Sequence, residues 1–310
     1  MDILIPDYAL NYNLMPFKTE AEVISYGVTT QNVPYKEFNY VIYWGNKEFI
    51  PNHGRKYGIM ETGFFNEAAY IDTIGNYHTS SLNTKSAYDT ISNFDLGNRK
   101  SAKDIVFGLP KNLQSKFDTE YHENGKRNLV WDKIILAVQH PTDRAIQSVT
   151  STKKYYEFIE DCCKFYGKNL FLKLHPWNRG ESYQLISEIA NKYNCPYGIT
   201  NMSVIDNCEF VIAYNSSFVI DCILRDVPYV QYGLGTFYNT FGVNYSNHTF
   251  PSTINNLPDA HKLPDFLIHR YCYKKDVSKE KFTKMIKHFS ESCDLFPMND
   301  DFSYASNFRD

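Results

Sequence analysis

The chain has 310 residues, 43% hydrophobic and 22% charged, with a formal net charge of −3. This balance excludes a disordered chain, weighs against a protein built to grip long nucleic acid, and at this length favours two domains with separate cores. No apolar run approaches the ~20 residues needed to cross a bilayer, and Met1-Asp2-Ile3-Leu4-Ile5-Pro6-Asp7 reads as a first strand, not a positively charged signal peptide, so a cytoplasmic protein without an integral membrane segment is expected.

Short apolar runs bounded by polar turns predict strands over Ile3–Ile5, Glu22–Tyr26, Asn39–Trp44 and Tyr57–Met60. The stretch from Glu61 through Tyr70-Ile71-Asp72 to Gly75-Asn76-Tyr77 is too irregular for one long helix and predicts a loop-rich face. Between Gly108 and Asn128 the composition turns polar, with Pro110, Asn112, Asp118, His122, Asn124 and Gly125. The boundary is placed there, giving a first Rossmann-like domain at 1–120 and a second at 121–310 that includes a C-terminal helix.

Beyond Lys133 the pattern is regular. Ile134–Val138 predicts a buried strand, Ser151–Tyr166 a helix, Asn169–Leu174 a strand and Ser182–Tyr193 a helix. A short strand near Tyr197–Ile199, a strand at Glu209–Ala213, a helix at Phe218–Arg225, a strand at Tyr229–Tyr232 and an amphipathic helix at Ser278–Ser290 complete it. Strand–helix alternation of this kind implies right-handed crossovers and a parallel sheet. The seven cysteines, an odd number without repeated metal-ligand spacing, read as free thiols in a reducing compartment, with Cys162 and Cys163 packing inside their helix. Sequons at Asn201, Asn215, Asn244 and Asn247 carry weight only in a secreted protein.

Chemistry-bearing residues gather where predicted strands end, the edge at which open α/β sheets bind ligands. His175-Pro176 follows one strand, with Lys173 two positions earlier on the same face. A histidine there can donate to a phosphate; the alternative is a solvent-facing residue on a capped strand end. Asn215-Ser216-Ser217 precedes a predicted helix with Asp221 in its first turn, which suits both capping and anion binding. Gly233-Leu234-Gly235-Thr236-Phe237-Tyr238 follows the next strand, and Phe237 or Tyr238 could stack on a ring. No Gly-x-Gly-x-x-Gly or Gly-x-x-x-x-Gly-Lys-Ser/Thr is found, which speaks against dehydrogenases and P-loop NTPases.

Taken together, Gln139-His140-Pro141-Thr142-Asp143, Lys173-Leu174-His175-Pro176, Asn215-Ser216-Ser217, Asp226-Val227-Pro228 and the Gly233–Gly242 loop resemble the carboxy-terminal half of capsular-polysaccharide biosynthesis proteins of the bacterial β-Kdo transferase group. Glu61-Thr62-Gly63-Phe64 and Tyr70-Ile71-Asp72-x-x-Gly75 resemble that group's Glu-Asp-Gly-Phe segment and the Asp and Gly after it. The resemblance implies a GT-B-like fold of two Rossmann-like domains with a cleft between them, the donor nucleotide held mainly by the second and the acceptor by the first. Carried over residue by residue, it implies donor contacts at His175, Asn215, Ser216, Ser217 and Asp221, with Gln139 beside them; Lys173 and Tyr238 join them as candidates from their positions.

The implied enzyme is a metal-independent glycosyltransferase that moves a sugar from a nucleotide-sugar to a hydroxyl of a polysaccharide or glycolipid, with no cofactor. If the anomeric centre inverts, a base must take the acceptor's proton. Glu61 is the first candidate, with Asp72, Glu67 and Asp7 as rivals. Thr62 stands where the group has Asp, and Asn66-Glu67 where it has a basic-Ser pair, so a neutral sugar on a diphosphate, not Kdo, is the expected donor. Two other readings stay open: a phage-type transferase acting on hydroxymethylated bases in DNA, with Arg99-Lys100 and Lys153-Lys154 as its modest basic clusters, and a non-catalytic nucleotide-sugar or glycan binder.

Overall fold

The computed structural model describes residues 3–6, 23–26, 40–44, 57–75, 77–116, 132–235, 250–255 and 258–308. Its strands are β1 (Ile3–Pro6), β2 (Val23–Tyr26), β3 (Tyr40–Trp44), β4 (Tyr57–Thr62), β5 (Ala68–Asp72), β6 (Ile134–Val138), β7 (Leu170–Leu174), β8 (Tyr197–Gly198), β9 (Val211–Ala213), β10 (Tyr229–Gln231) and β11 (Cys272–Lys274). The helices are α1 (Lys85–Ser92), α2 (Ala102–Phe107), α3 (Arg144–Gln147), α4 (Thr152–Tyr166), α5 (Glu181–Lys192), α6 (Val219–Leu224), α7 (Lys262–Arg270) and α8 (Lys279–Glu291). The chain divides into two units, residues 1–105 with 265–310, and residues 106–264.

In the first unit six strands run in the order β11-β5-β4-β3-β1-β2. β1, β2, β3 and β4 pair in parallel, while β5 pairs antiparallel with both β4 and β11. The loop-rich face expected after Glu61 is in fact the β4–β5 hairpin, whose second strand is buried along its whole length. Ser278 caps α8 by accepting from the Lys281 amide, and the helix buries Phe282, Met285, Ile286 and Phe289. These side chains form one core with Met60, Ala69 and Ile71 of the hairpin and Tyr273 of β11. This is why the partition differs from the expected 1–120 and 121–310. The last 46 residues, C-terminal helix included, complete the first sheet, and the chain crosses into the second unit at Val106.

The second unit is a five-stranded, all-parallel sheet in the order β10-β9-β6-β7-β8. β6 and β7 are buried at every position, as parallel strands covered on both faces must be. α4 shows how sequence makes its cover: Ser151 accepts from the Lys154 amide at one end and Gly167, at φ +54°, stops the helix at the other. Tyr155, Ile159, Cys162, Cys163 and Tyr166 form the buried stripe between. Cys162 and Cys163 thus serve packing, and all seven cysteines are free thiols.

Candidate functional site

In chain order the second sheet reads 3-2-1-4-5, so the connection reverses direction between β6 and β9. The rule for open α/β sheets puts the ligand crevice outside the carboxyl ends at such a switch point. Gln139 follows β6 there, and Asn215 lies two residues beyond β9. The Asn215 amide N–H donates to Gln139 Oε1 at 3.3 Å, and its Nδ2 donates to the Ala145 carbonyl of α3 at 2.6 Å. The Gln139 N–H donates in turn to Tyr155 Oη at 2.8 Å. Asn215 Oδ1 is buried without a hydrogen-bond partner, an open acceptor at the switch point.

The glycine segment after β10 is drawn onto the same place. The Gly233 N–H donates to the Tyr214 carbonyl at 2.6 Å, and a Cβ on Gly233 would lie 2.5 Å from the Tyr214 ring. Gln231, fully buried, donates to the Gly233 carbonyl at 2.9 Å. From Thr236 onward the segment, with Phe237 and Tyr238, lies outside the described residues.

His175 begins the turn after β7, where its N–H donates to the Val138 carbonyl of β6 at 3.0 Å. Burial pushes its imidazole down to about 4; Lys173 and His140 act in the same direction and Asp143 opposes them. The ring is therefore neutral at pH 7. Its Nδ1 accepts from the Trp177 amide at 3.1 Å, which leaves the proton on Nε2 as a donor.

The other candidates divide. Lys173 is 6% exposed and its ammonium donates to the Thr200 carbonyl at 2.7 Å. Ser216 Oγ accepts from the Phe218 amide at 3.2 Å, in a turn that precedes α6. The helix itself starts at Val219, with Phe218 in the cap position and no side-chain cap bond, so Asn215-Ser216-Ser217 shapes the approach to the helix without capping it. Asp221 is only 3% exposed and lies in the first turn of α6.

In the first unit the acids separate by environment. Asp72 Oδ1 accepts from the Ile74 and Gly75 amides at 2.7 and 2.9 Å. Its Oδ2 accepts from the Ser81 amide at 2.8 Å and from the hydroxyls of Ser80, Ser81 and Tyr271 at 2.6, 2.9 and 2.6 Å. With both oxygens committed and 1% exposure, Asp72 is the anchor of the loop after β5 and has no lone pair to offer as a base. Glu67 sits exposed in the β4–β5 turn at φ +54°. Glu61 differs from both: it is the penultimate residue of β4 and half-buried, its Oε1 accepts from the Thr62 amide and hydroxyl at 2.8 and 3.2 Å, and its Oε2 accepts from Tyr77 Oη at 3.2 Å. Asp7 lies outside the described residues.

Sequence reasoning passed over Gln231, Thr200 and Tyr77. Gln231 had a signal, a lone amide closing the apolar run Tyr229-Val230; Thr200 acts through its carbonyl, which no side-chain pattern reveals. Among the described residues no group of three or more His, Cys, Asp or Glu is placed to hold a metal ion, and no helix is long and apolar enough to cross a membrane.

Residues 68–219, just under half of the chain, match the family model of Alpha-2,8-polysialyltransferase (POLYST). The fold is similar to that of the KpsC β-Kdo 2,7-transferase of Thermosulfurimonas dismutans, with a TM-score of 0.59 at 15% identity over 88% of this chain and 92% of that one. It is similar also to the KpsC β-Kdo 2,4-transferase of the same organism, with a TM-score of 0.56 at 12% identity and the same coverage. No curated protein sequence matches the chain. The resemblance to the β-Kdo transferase group read from the sequence is borne out at the level of fold.

Proposed function

We propose that this chain, an enzyme of the glycosyltransferase class, moves a sugar acid from a nucleotide donor to a hydroxyl of a glycan, with Glu61 as base and the strand ends of the second unit as the nucleotide site. The observation that carries the reading is the family match itself, which runs from β5 through Gln139, Lys173 and His175 to Ser217. Asn215 and Gln139, joined at the switch point, together with His175 beside them, supply polar groups where the fold rule expects a ligand. A neutral His175 donates from Nε2 to a phosphate oxygen without adding charge, while Ser216 and Ser217 line the turn that follows. The GT-B arrangement of two Rossmann-like domains, nucleotide on the second and acceptor on the first, is part of this reading.

The donor class departs from the neutral sugar expected above. That expectation rested partly on Thr62, but the Thr62 amide and hydroxyl both bind Glu61 Oε1. The substitution therefore bears on how the base is held, not on the sugar. The names of the matched family and of both similar structures concern sugar acids, which supports an acidic donor. In chemical terms Glu61 takes the acceptor hydroxyl's proton as its oxygen bonds the anomeric carbon, and the bond from that carbon to the phosphate oxygen breaks. The phosphate carries the electron pair away, met by donors fixed in advance.

The test is release of nucleotide by the purified protein from a panel of cytidine-monophosphate-linked sugar acids and uridine-diphosphate-linked neutral sugars, each with oligosaccharide acceptors. Turnover with a sugar acid, retained in excess chelator and reduced at least a hundredfold in Glu61→Gln with donor binding intact, is the expected result. Turnover of neutral-sugar donors alone overturns the donor class, and full activity of Glu61→Gln removes that residue from the chemistry.

A further inference from the structure

Tyr77 carries a feature that packing alone does not call for. It holds φ at +49°, a left-handed conformation that side chains with a Cβ disfavour. The loop around it is fastened on both sides to a single carboxylate: the amides of Ile74 and Gly75 before it and of Ser81 after it all donate to Asp72. Gly75 leaves no room for a Cβ against the Thr79 carbonyl, so the loop is pinched as well as tied. The Tyr77 carbonyl accepts from the Ser80 amide at 3.2 Å and from Asn83 Nδ2 at 3.3 Å. What this construction presents is the phenol, whose hydroxyl donates to Glu61 Oε2 at 3.2 Å while Thr62 holds Oε1.

We infer that Tyr77 is the positioning residue for Glu61: the Asp72-tied loop accepts backbone strain in order to orient one oxygen of the carboxylate toward a bound acceptor and to favour its ionised form. The inference rests on the assignment of Glu61 as the base. Of the titratable groups near Glu61, Tyr77 of the loop donates to it and Tyr70 of β5 is its partner across the strand pair. Tyr70 is fully buried, and burial, with Glu61 next, pushes its phenol well above the usual range, so it stays neutral beside the carboxylate.

A donor bonded to the charged form lowers a carboxylate's pKa, and its removal raises it. Tyr77→Phe should therefore lower kcat about tenfold with KM within twofold, and move the acid limb of the kcat profile up by roughly half a pH unit or more, with the melting temperature unchanged. Tyr77→Gly separates positioning from loop shape, because glycine suits the positive φ yet removes the hydroxyl. It should lose at least as much kcat as Tyr77→Phe. In a Glu61→Gln background, Tyr77→Phe should cost nothing further. Retained kcat and an unmoved acid limb in Tyr77→Phe, with Glu61→Gln inactive, overturn the inference and leave the base assignment standing. An active Glu61→Gln overturns both, and activity restored by Tyr77→Gly shows that the residue serves only the loop's shape.

Discussion

A neutral histidine at a strand end has a consequence outside catalysis. The His175 imidazole is held at about 4 in the folded chain, chiefly by burial, against about 6.5 in an unfolded one. Between those values the unfolded state binds more protons, so stability rises with pH across the window. The contribution is fully present above about pH 6.5 and is lost as the pH falls toward 4. Thermal melting should accordingly fall through this window in the parent and fall less steeply in His175→Asn, other groups being common to both. Equal slopes would mean the ring titrates normally. At this scale the sequence conveyed where polar groups fall better than what surrounds them. The strand-end positions of His175, Asn215 and Gln139 were legible because polar groups at the end of apolar runs stand out. The setting of Asp72 was not legible, because its six donors come from residues 74 to 81 and from Tyr271, and a sequence shows an acid without showing what it accepts. Tyr77 was invisible for a related reason: a positive φ on a tyrosine has no compositional signal.

At the scale of elements, β6, β7 and β9 were legible within two residues, because a buried parallel strand is a continuous apolar run with abrupt polar ends. β5 was not. Ala68 and Ala69 are poor strand formers, and the strand exists because β4 and β11 flank it, the second some two hundred residues away in sequence. The glycine segment after β10 offers a sharp test at Gly233. Gly233→Ala would drive a Cβ into the Tyr214 ring, next to Asn215, at an ordinary backbone angle. Overpacking of this kind costs roughly 1–3 kcal/mol, and because the ring adjoins the switch point, donor affinity should fall along with stability. A variant that melts normally and binds nucleotide normally would show that Tyr214 can move aside.

For the whole molecule, length and composition favour two domains, but they do not show the path of the chain. Patterning marks where a helix is amphipathic, and α8 was expected within one residue at each end. It does not say which sheet receives the apolar face. Phe282, fully buried, binds α8 to the hairpin core of the first unit, so Phe282→Ala should cost about 3–5 kcal/mol. Hydrogen exchange should show lost protection in β4 and β5 while β6 and β7 keep theirs; equal loss in both sheets would mean that the units unfold as one. The same return of the chain sets an order of events during synthesis. Residues 106–264 emerge from the ribosome as a complete unit, whereas the hairpin that bears Glu61 must wait for β11 and α8, which follow that unit in the chain. The second sheet can be finished while the segment carrying the proposed base is still unassembled, so a chain released early would combine a folded second unit with an incomplete hairpin.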